Sequence, residues 1–172
     1  MNFKHLHSKN TLNNFFLFLI FFEYSCFRTL ENSIKPYEIL PPAIKSGTVY
    51  SFVTDSGVAY EVRFGRKQNN ILNATIVFGV TNEEYDGEEY SVTNKGEVYQ
   101  VMATIVEVVR QYKKEHPNIN LYEYTGEQSE VEKSKNKNVR LALYNRYISK
   151  VFDKNWGVKT LDNKVIIRKK SD

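Results

Sequence analysis

The sequence is poor in the residues that build covalent or metal-held frameworks. It has one cysteine, Cys26, and three histidines, His5, His7 and His116, in 172 residues. A single cysteine forms no intramolecular disulfide, and one Cys with three His supplies neither an all-cysteine zinc site nor a finger with two Cys and two His. No metal site is assigned, and the fold has to stand on packing. Glycine (8) and proline (4) are scarce, which with 41% apolar and 26% charged residues excludes a collagen-like or low-complexity chain. The length suits one sizeable core and is short for two domains. What the chain has in quantity is aromatic, with 12 Tyr and 11 Phe.

Charge is uneven along the chain. Residues 1–132 carry 12 cations against 17 anions, whereas residues 133–172 carry 12 cations against 3 anions. Such asymmetry points to a phosphate-rich partner, or to a basic face that meets an acidic one. Glu83, Glu84, Asp86, Glu88 and Glu89 form a compact acidic cluster. They lack the order of a calcium loop, so they read as a solvated hairpin tip.

Residues 15–22 run FFLFLIFF behind Lys4, His5, His7 and Lys9, the outline of an export signal. The run is too short for a transmembrane helix, which needs about 20 apolar residues, and no small-x-small cleavage site follows it. A cytoplasmic location is expected, with export through 15–22 as the alternative. Pro36, Pro41 and Pro42 make the next stretch an extended lead-in. The division expected is a leader and lead-in over 1–48, one α+β domain over 49–168, and a basic tail over 169–172.

Within the domain, Val49 to Thr54 and Val58 to Phe64 flank the turn Asp55-Ser56-Gly57 and read as a hairpin. Asn73 to Val80 and Glu89 to Thr93 read as third and fourth strands of a meander. Val98, Val101, Met102, Ile105, Val108, Val109 and Tyr112 then share one helical face, and the helix must stop before His116-Pro117. Asn94 and Glu97 are spaced as a capping pair. Asn120 to Tyr124 predicts a fifth strand, Asn138 to Phe152 a second helix, and Gly157 to Leu161 with Lys164 to Arg168 a closing hairpin. The expected order is β-β-β-β-α-β-α-β-β, a mainly antiparallel sheet with two packed helices.

Two resemblances rest on these segments. Tyr90-Ser91-Val92-Thr93-Asn94-Lys95-Gly96, Pro117-Asn118-Ile119-Asn120-Leu121-Tyr122 and Arg140-Leu141-Ala142-Leu143-Tyr144-Asn145-Arg146 resemble a pattern of small uncharacterised proteins, many from phages. That likeness implies a phage or bacterial origin and brings no function with it. The order of elements, with Asn138 to Tyr144 and Trp156-Gly157-Val158, is similar to the GNAT acyltransferase family. This resemblance implies a GNAT-like fold, acetyl-CoA as cofactor, Tyr144 as general acid, and Asn94, Gly96 and Asn138 at the cofactor. The family's glycine-rich phosphate loop is replaced by Asn94-Lys95-Gly96-Glu97, with one glycine and a carboxylate where phosphates would approach.

These observations favour a non-enzymatic binding or accessory protein on a GNAT-like scaffold, without a cofactor and with a protein partner. One alternative is an acyl-CoA-dependent N-acetyltransferase. The other is weak nucleic-acid binding through the basic C-terminal quarter, by Arg140, Arg146, Lys150, Arg168, Lys169 and Lys170. It requires those groups to converge on one surface. Tyr144 also has an ordinary reading, as a tyrosine at the edge of the core.

Overall fold

In a computed structural model, the chain divides into two units, Met1–Ile34 and Lys35–Asp172. The residues described are 34–44, 47–82, 97–126 and 139–171. The second unit carries β1 (Val49–Val53), β2 (Ala59–Lys67), β3 (Asn70–Val80), α1 (Val98–Glu115), β4 (Leu121–Thr125), α2 (Val139–Ile148) with a 3-10 turn at Ser149–Val151, β5 (Trp156–Leu161) and β6 (Lys164–Lys169). The fold is α+β, as expected. The described order is β-β-β-α-β-α-β-β, one strand fewer than expected, and the fourth predicted strand, 89–93, lies outside the described residues.

The six strands form one sheet in the order β1-β2-β3-β4-β6-β5. Neighbours are antiparallel except β3 and β4, which run parallel with α1 between them in sequence. The sheet is thus mostly antiparallel but not a simple meander, because β6 returns to pair with β4 and leaves β5 at the edge. Local chemistry sets the turns. The turn from β1 to β2 passes through Gly57 at φ 84°, a left-handed conformation open to glycine, and the β5–β6 turn puts Asp162 at φ 48°. The β2–β3 hairpin closes at Gln68-Asn69, so β3 begins three residues before the run of β-branched residues suggested. The predicted Asn73 start reflects the polar stretch Gln68-Asn69-Asn70, which looks like loop although Asn70 already pairs with Lys67.

Both helices pack on the same face of the sheet. Tyr112 of α1 stacks on Phe64 at 3.6 Å and meets Tyr50 edge-on, while Tyr144 of α2 meets Phe78 at 4.6 Å. The strand register puts Tyr50, Phe64 and Phe78 on one side, together with Phe52, Tyr60, Val62, Ala74, Ile76, Tyr122, Tyr124, Val165 and Ile167. These residues and the α1 stripe Val101, Met102, Ile105, Val108 and Val109 make the core. The 3.6-residue spacing of that stripe is what lets one helix face close on the sheet. The proline-containing lead-in joins the same unit: Leu40 bridges to Ser51 beside β1, and the Tyr37 backbone N–H donates to Thr104 Oγ1 on α1.

Candidate functional site

The end of the sheet where the β1–β2 turn, the C-terminal half of β3 and the start of α1 come together holds most of the residues with catalytic interest. β3 and β4 pair only over Asn73–Thr75 and Leu121–Glu123. β3 continues to Val80 without β4 as a partner, so the parallel pair separates on that side. Tyr144 stands there, half-buried with its ring against Phe78. Tyr60 lies in the same region, and burial, with Glu97 and Tyr144 nearby, pushes its phenol up to about 12. A neutral phenol can donate a hydrogen bond or a proton, and that is the chemistry these tyrosines offer.

The helix terminus beside them has its own anion. Glu97 is the N-cap residue of α1 and makes no side-chain cap bond within the helix. Its carboxylate instead accepts from the Ser56 backbone N–H at 3.0 Å and from Ser56 Oγ at 2.6 Å. The Ser56 hydroxyl holds the carboxyl below its ordinary range, with the Ser56 N–H adding to the effect. Of the expected capping pair, Asn94 lies outside the described residues, and the described partner of Glu97 is Ser56. The carboxylate ties the first turn of α1 to the β1–β2 turn and places negative charge at the positive end of the helix dipole. Asn94, Gly96 and Asn138, the other residues expected at a cofactor, lie outside the described residues.

The predicted basic group does not form one patch. Arg140, Arg146 and Lys150 are on α2 and the turn after it, on the helix side of the sheet. Lys150 Nζ lies 5.0 Å from the Tyr147 ring, and Arg146 is 6.0 Å from the same ring. Arg168 sits on the opposite face of the sheet, paired in register with Leu121 and Gly157. Lys169 returns to the helix side opposite Trp156, and Lys170 Nζ donates to the Lys154 carbonyl. The six residues are divided because strand alternation sends Arg168 and Lys169 to opposite faces.

A polar centre that the sequence did not single out lies on the face away from the helices. Glu123, in the middle of β4, is 8% exposed. Lys67 Nζ donates to it at 2.9 Å, Thr75 Oγ1 donates at 3.3 Å, and Lys164 Nζ lies 3.8 Å away. The signal was available in LYEYT, where Glu123 is the one charged residue of a short strand. A buried carboxylate needs such partners. Among the described residues no group of three or more His, Cys, Asp and Glu could hold a metal, and no helix is long and apolar enough to cross a membrane. The chain matches no family model, no curated protein and no solved structure.

Proposed function

We propose that the chain is a non-enzymatic binding or accessory protein on a GNAT-like scaffold. The scaffold reading is supported by a central parallel strand pair that separates beside a helix start, and by a terminal hairpin whose second strand inserts next to β4. The observation that favours binding over acyl transfer is Glu97. An acyl-CoA pyrophosphate would approach the N-terminus of α1, and there the carboxylate held by Ser56 already compensates the helix dipole and repels a second anion.

Thermal unfolding of the full chain with and without millimolar acetyl-CoA tests the reading, because a ligand that binds only the native state raises its stability. The midpoint is expected not to move. A clear upward shift would restore the acyltransferase reading, with Tyr144 as the general acid, and Tyr144→Phe would then abolish transfer.

A further inference from the structure

The two edges of the sheet are finished differently. At the β1 edge, the Phe64 N–H donates to the Thr48 carbonyl, so Thr48, Tyr50 and Phe52 direct their backbone groups to β2, and Val49, Ser51 and Val53 direct theirs outward. The chain's own lead-in meets this edge. Leu40 and Ser51 exchange both backbone hydrogen bonds, at 2.8 and 3.1 Å, and Pro41-Pro42 follows with no donor to offer. The β5 edge has no such cover among the described residues. β5 pairs with β6 alone, in an unbroken register without a bulge.

The Lys170 N–H donates to the Asn155 carbonyl at 2.8 Å, and alternation along an antiparallel pair then makes Gly157–Arg168, Lys159–Ile166 and Leu161–Lys164 the hydrogen-bonded pairs. Trp156, Val158 and Thr160 therefore turn their backbone groups away from β6. The Trp156 N–H is used locally, on the Asp153 carbonyl. The Trp156 carbonyl and both backbone groups of Val158 and Thr160 have no partner among the described residues, and β5 is exposed from Val158 onward. Its side chains are sorted by face. Val158, 45% exposed, lies on the helix side with Trp156, and Lys159 lies on the other side. Arg168 shares the Lys159 side and stands opposite Gly157, where no side chain separates it from the edge. Lys154, Lys159, Arg168 and Lys169 are exposed and enter no ion pair among the described residues. Neither β5 nor β6 carries an acidic residue, the nearest in sequence being Asp153 and Asp162 at the two ends of β5.

We propose that β5 takes up an extended segment of another protein as an added strand, a segment in which acidic and apolar residues alternate. This rests on the binding-protein reading above and names its partner. A row of unpaired N–H and carbonyl groups is what an incoming strand satisfies. The alternation follows from the period of two in a strand. Side chains of the incoming segment on the helix side would cover Val158, and those on the other side would meet Lys159 directly, with Arg168 one strand spacing further in, about 5 Å. The free cations select carboxylates on that second side. A second copy of the chain fits less well. Two β5 edges matched about a two-fold axis at Val158 would set each Lys159 across from Gly157 of the second copy, and no carboxylate would meet either lysine. A nucleic-acid backbone does not present N–H donors at strand spacing to the carbonyls of Trp156, Val158 and Thr160.

The test uses the full chain and a labelled peptide of about eight residues, the length of a strand, in which glutamate and valine alternate. Its controls are the same peptide N-methylated at every residue and a lysine–valine peptide of equal length. The glutamate–valine peptide is expected to bind with an affinity that falls as salt rises. Both controls should bind at least about tenfold more weakly, one for want of donors and one for its charge. Val158→Pro removes an outward N–H and no bond to β6, so affinity should fall about fivefold or more while the unfolding midpoint stays in place. If that variant does lower the midpoint, the N-methylated peptide decides the matter on the unaltered protein. Lys159→Glu should weaken binding about tenfold, and Lys114→Glu, on exposed α1 surface, should change it little. Binding that N-methylation leaves intact, or that Lys114→Glu weakens as much as Lys159→Glu does, would reduce the interaction to net charge and overturn the proposal. So would no peptide binding at all, or self-association of the chain that Val158→Pro abolishes. Failure here removes the edge site alone, since the binding-protein reading fails separately, on a rise in stability with acetyl-CoA.

Discussion

The two faces of this sheet are made from the same strands, yet they obey different rules. On the helix side nearly every inward position is aromatic or β-branched and buried: Tyr50, Phe52, Val62, Phe64, Ile76, Tyr122 and Tyr124 are all at most 2% exposed. On the other side the alternate positions of the same strands hold Val49, Val53, Ile71 and Val77, exposed by 41–65%, among arginines, lysines and glycines. An antiparallel sheet can leave one face to water, and single exposed apolar residues among charged ones are ordinary on such a face. The first face carries the hydrophobic core, and the second is held by polar pairing around Glu123.

The largest effect that would sharpen this contrast is at the Phe64–Tyr112 stack. Phe64→Ala should destabilise the fold by about 3–5 kcal/mol, the usual cost of emptying an aromatic core site, whereas Val77→Ala should cost no more than about 0.5 kcal/mol. Denaturant titration of both variants checks this. Next comes the rim of the covered face, where Tyr50 Oη donates to Glu115 at 2.6 Å and burial pushes the phenol up. Tyr50→Phe keeps the ring and should cost about 1.5–3 kcal/mol for the lost hydrogen bond to a carboxylate. Glu97→Ala unties α1 from the β1–β2 turn, and the loss should be about 0.5–1 kcal/mol, typical of helix-start interactions.

A pH effect is expected from His116, at the C-cap of α1. Burial lowers its affinity for a proton, and Arg66, whose guanidinium lies 3.2 Å from Nδ1, lowers it further, against a smaller opposing pull from Glu115. The folded state therefore prefers the neutral ring. Its contribution to stability is complete above the ordinary value of 6.5 and is lost as pH falls from there through the lowered folded value. Thermal midpoints measured across that window should decline in the parent and decline less in His116→Gln. The smallest effect belongs to the open face, where Gly79→Ala should leave stability unchanged or slightly raised, since the new methyl has room and alanine restricts the unfolded chain.

Much of the fold was legible because periodicity is a local property. The stripe from Val98 to Tyr112 announced α1, and Asp162-Asn163 announced the last hairpin with its left-handed Asp162. The order of strands across the sheet was not legible. Nothing local in KVIIRK says that it pairs with LYEYT rather than lying at the edge. The two faces were half legible. Alternation marks which residues of one strand go together, but which face receives the helices depends on α1 and α2 choosing the same side. For that reason Arg168 and Lys169 could be grouped with Arg146 and Lys150 in the sequence although the sheet divides them. Glu123 was missed for a related reason: its partners Lys67, Thr75 and Lys164 come from three other strands, and only the register brings them together.

The contrast between the faces is tested most directly by two neighbours in β3. Ile76 is 2% exposed and Val77 is 56% exposed, so one lysine placed at each site in turn probes opposite sides of one strand. Ile76→Lys should abolish cooperative unfolding of the full chain, because the charge enters the core without a partner, while Val77→Lys should leave the thermal midpoint within about two degrees of the parent. A Val77→Lys variant as damaged as Ile76→Lys would mean that the second face is part of the packed interior, and would contradict the account.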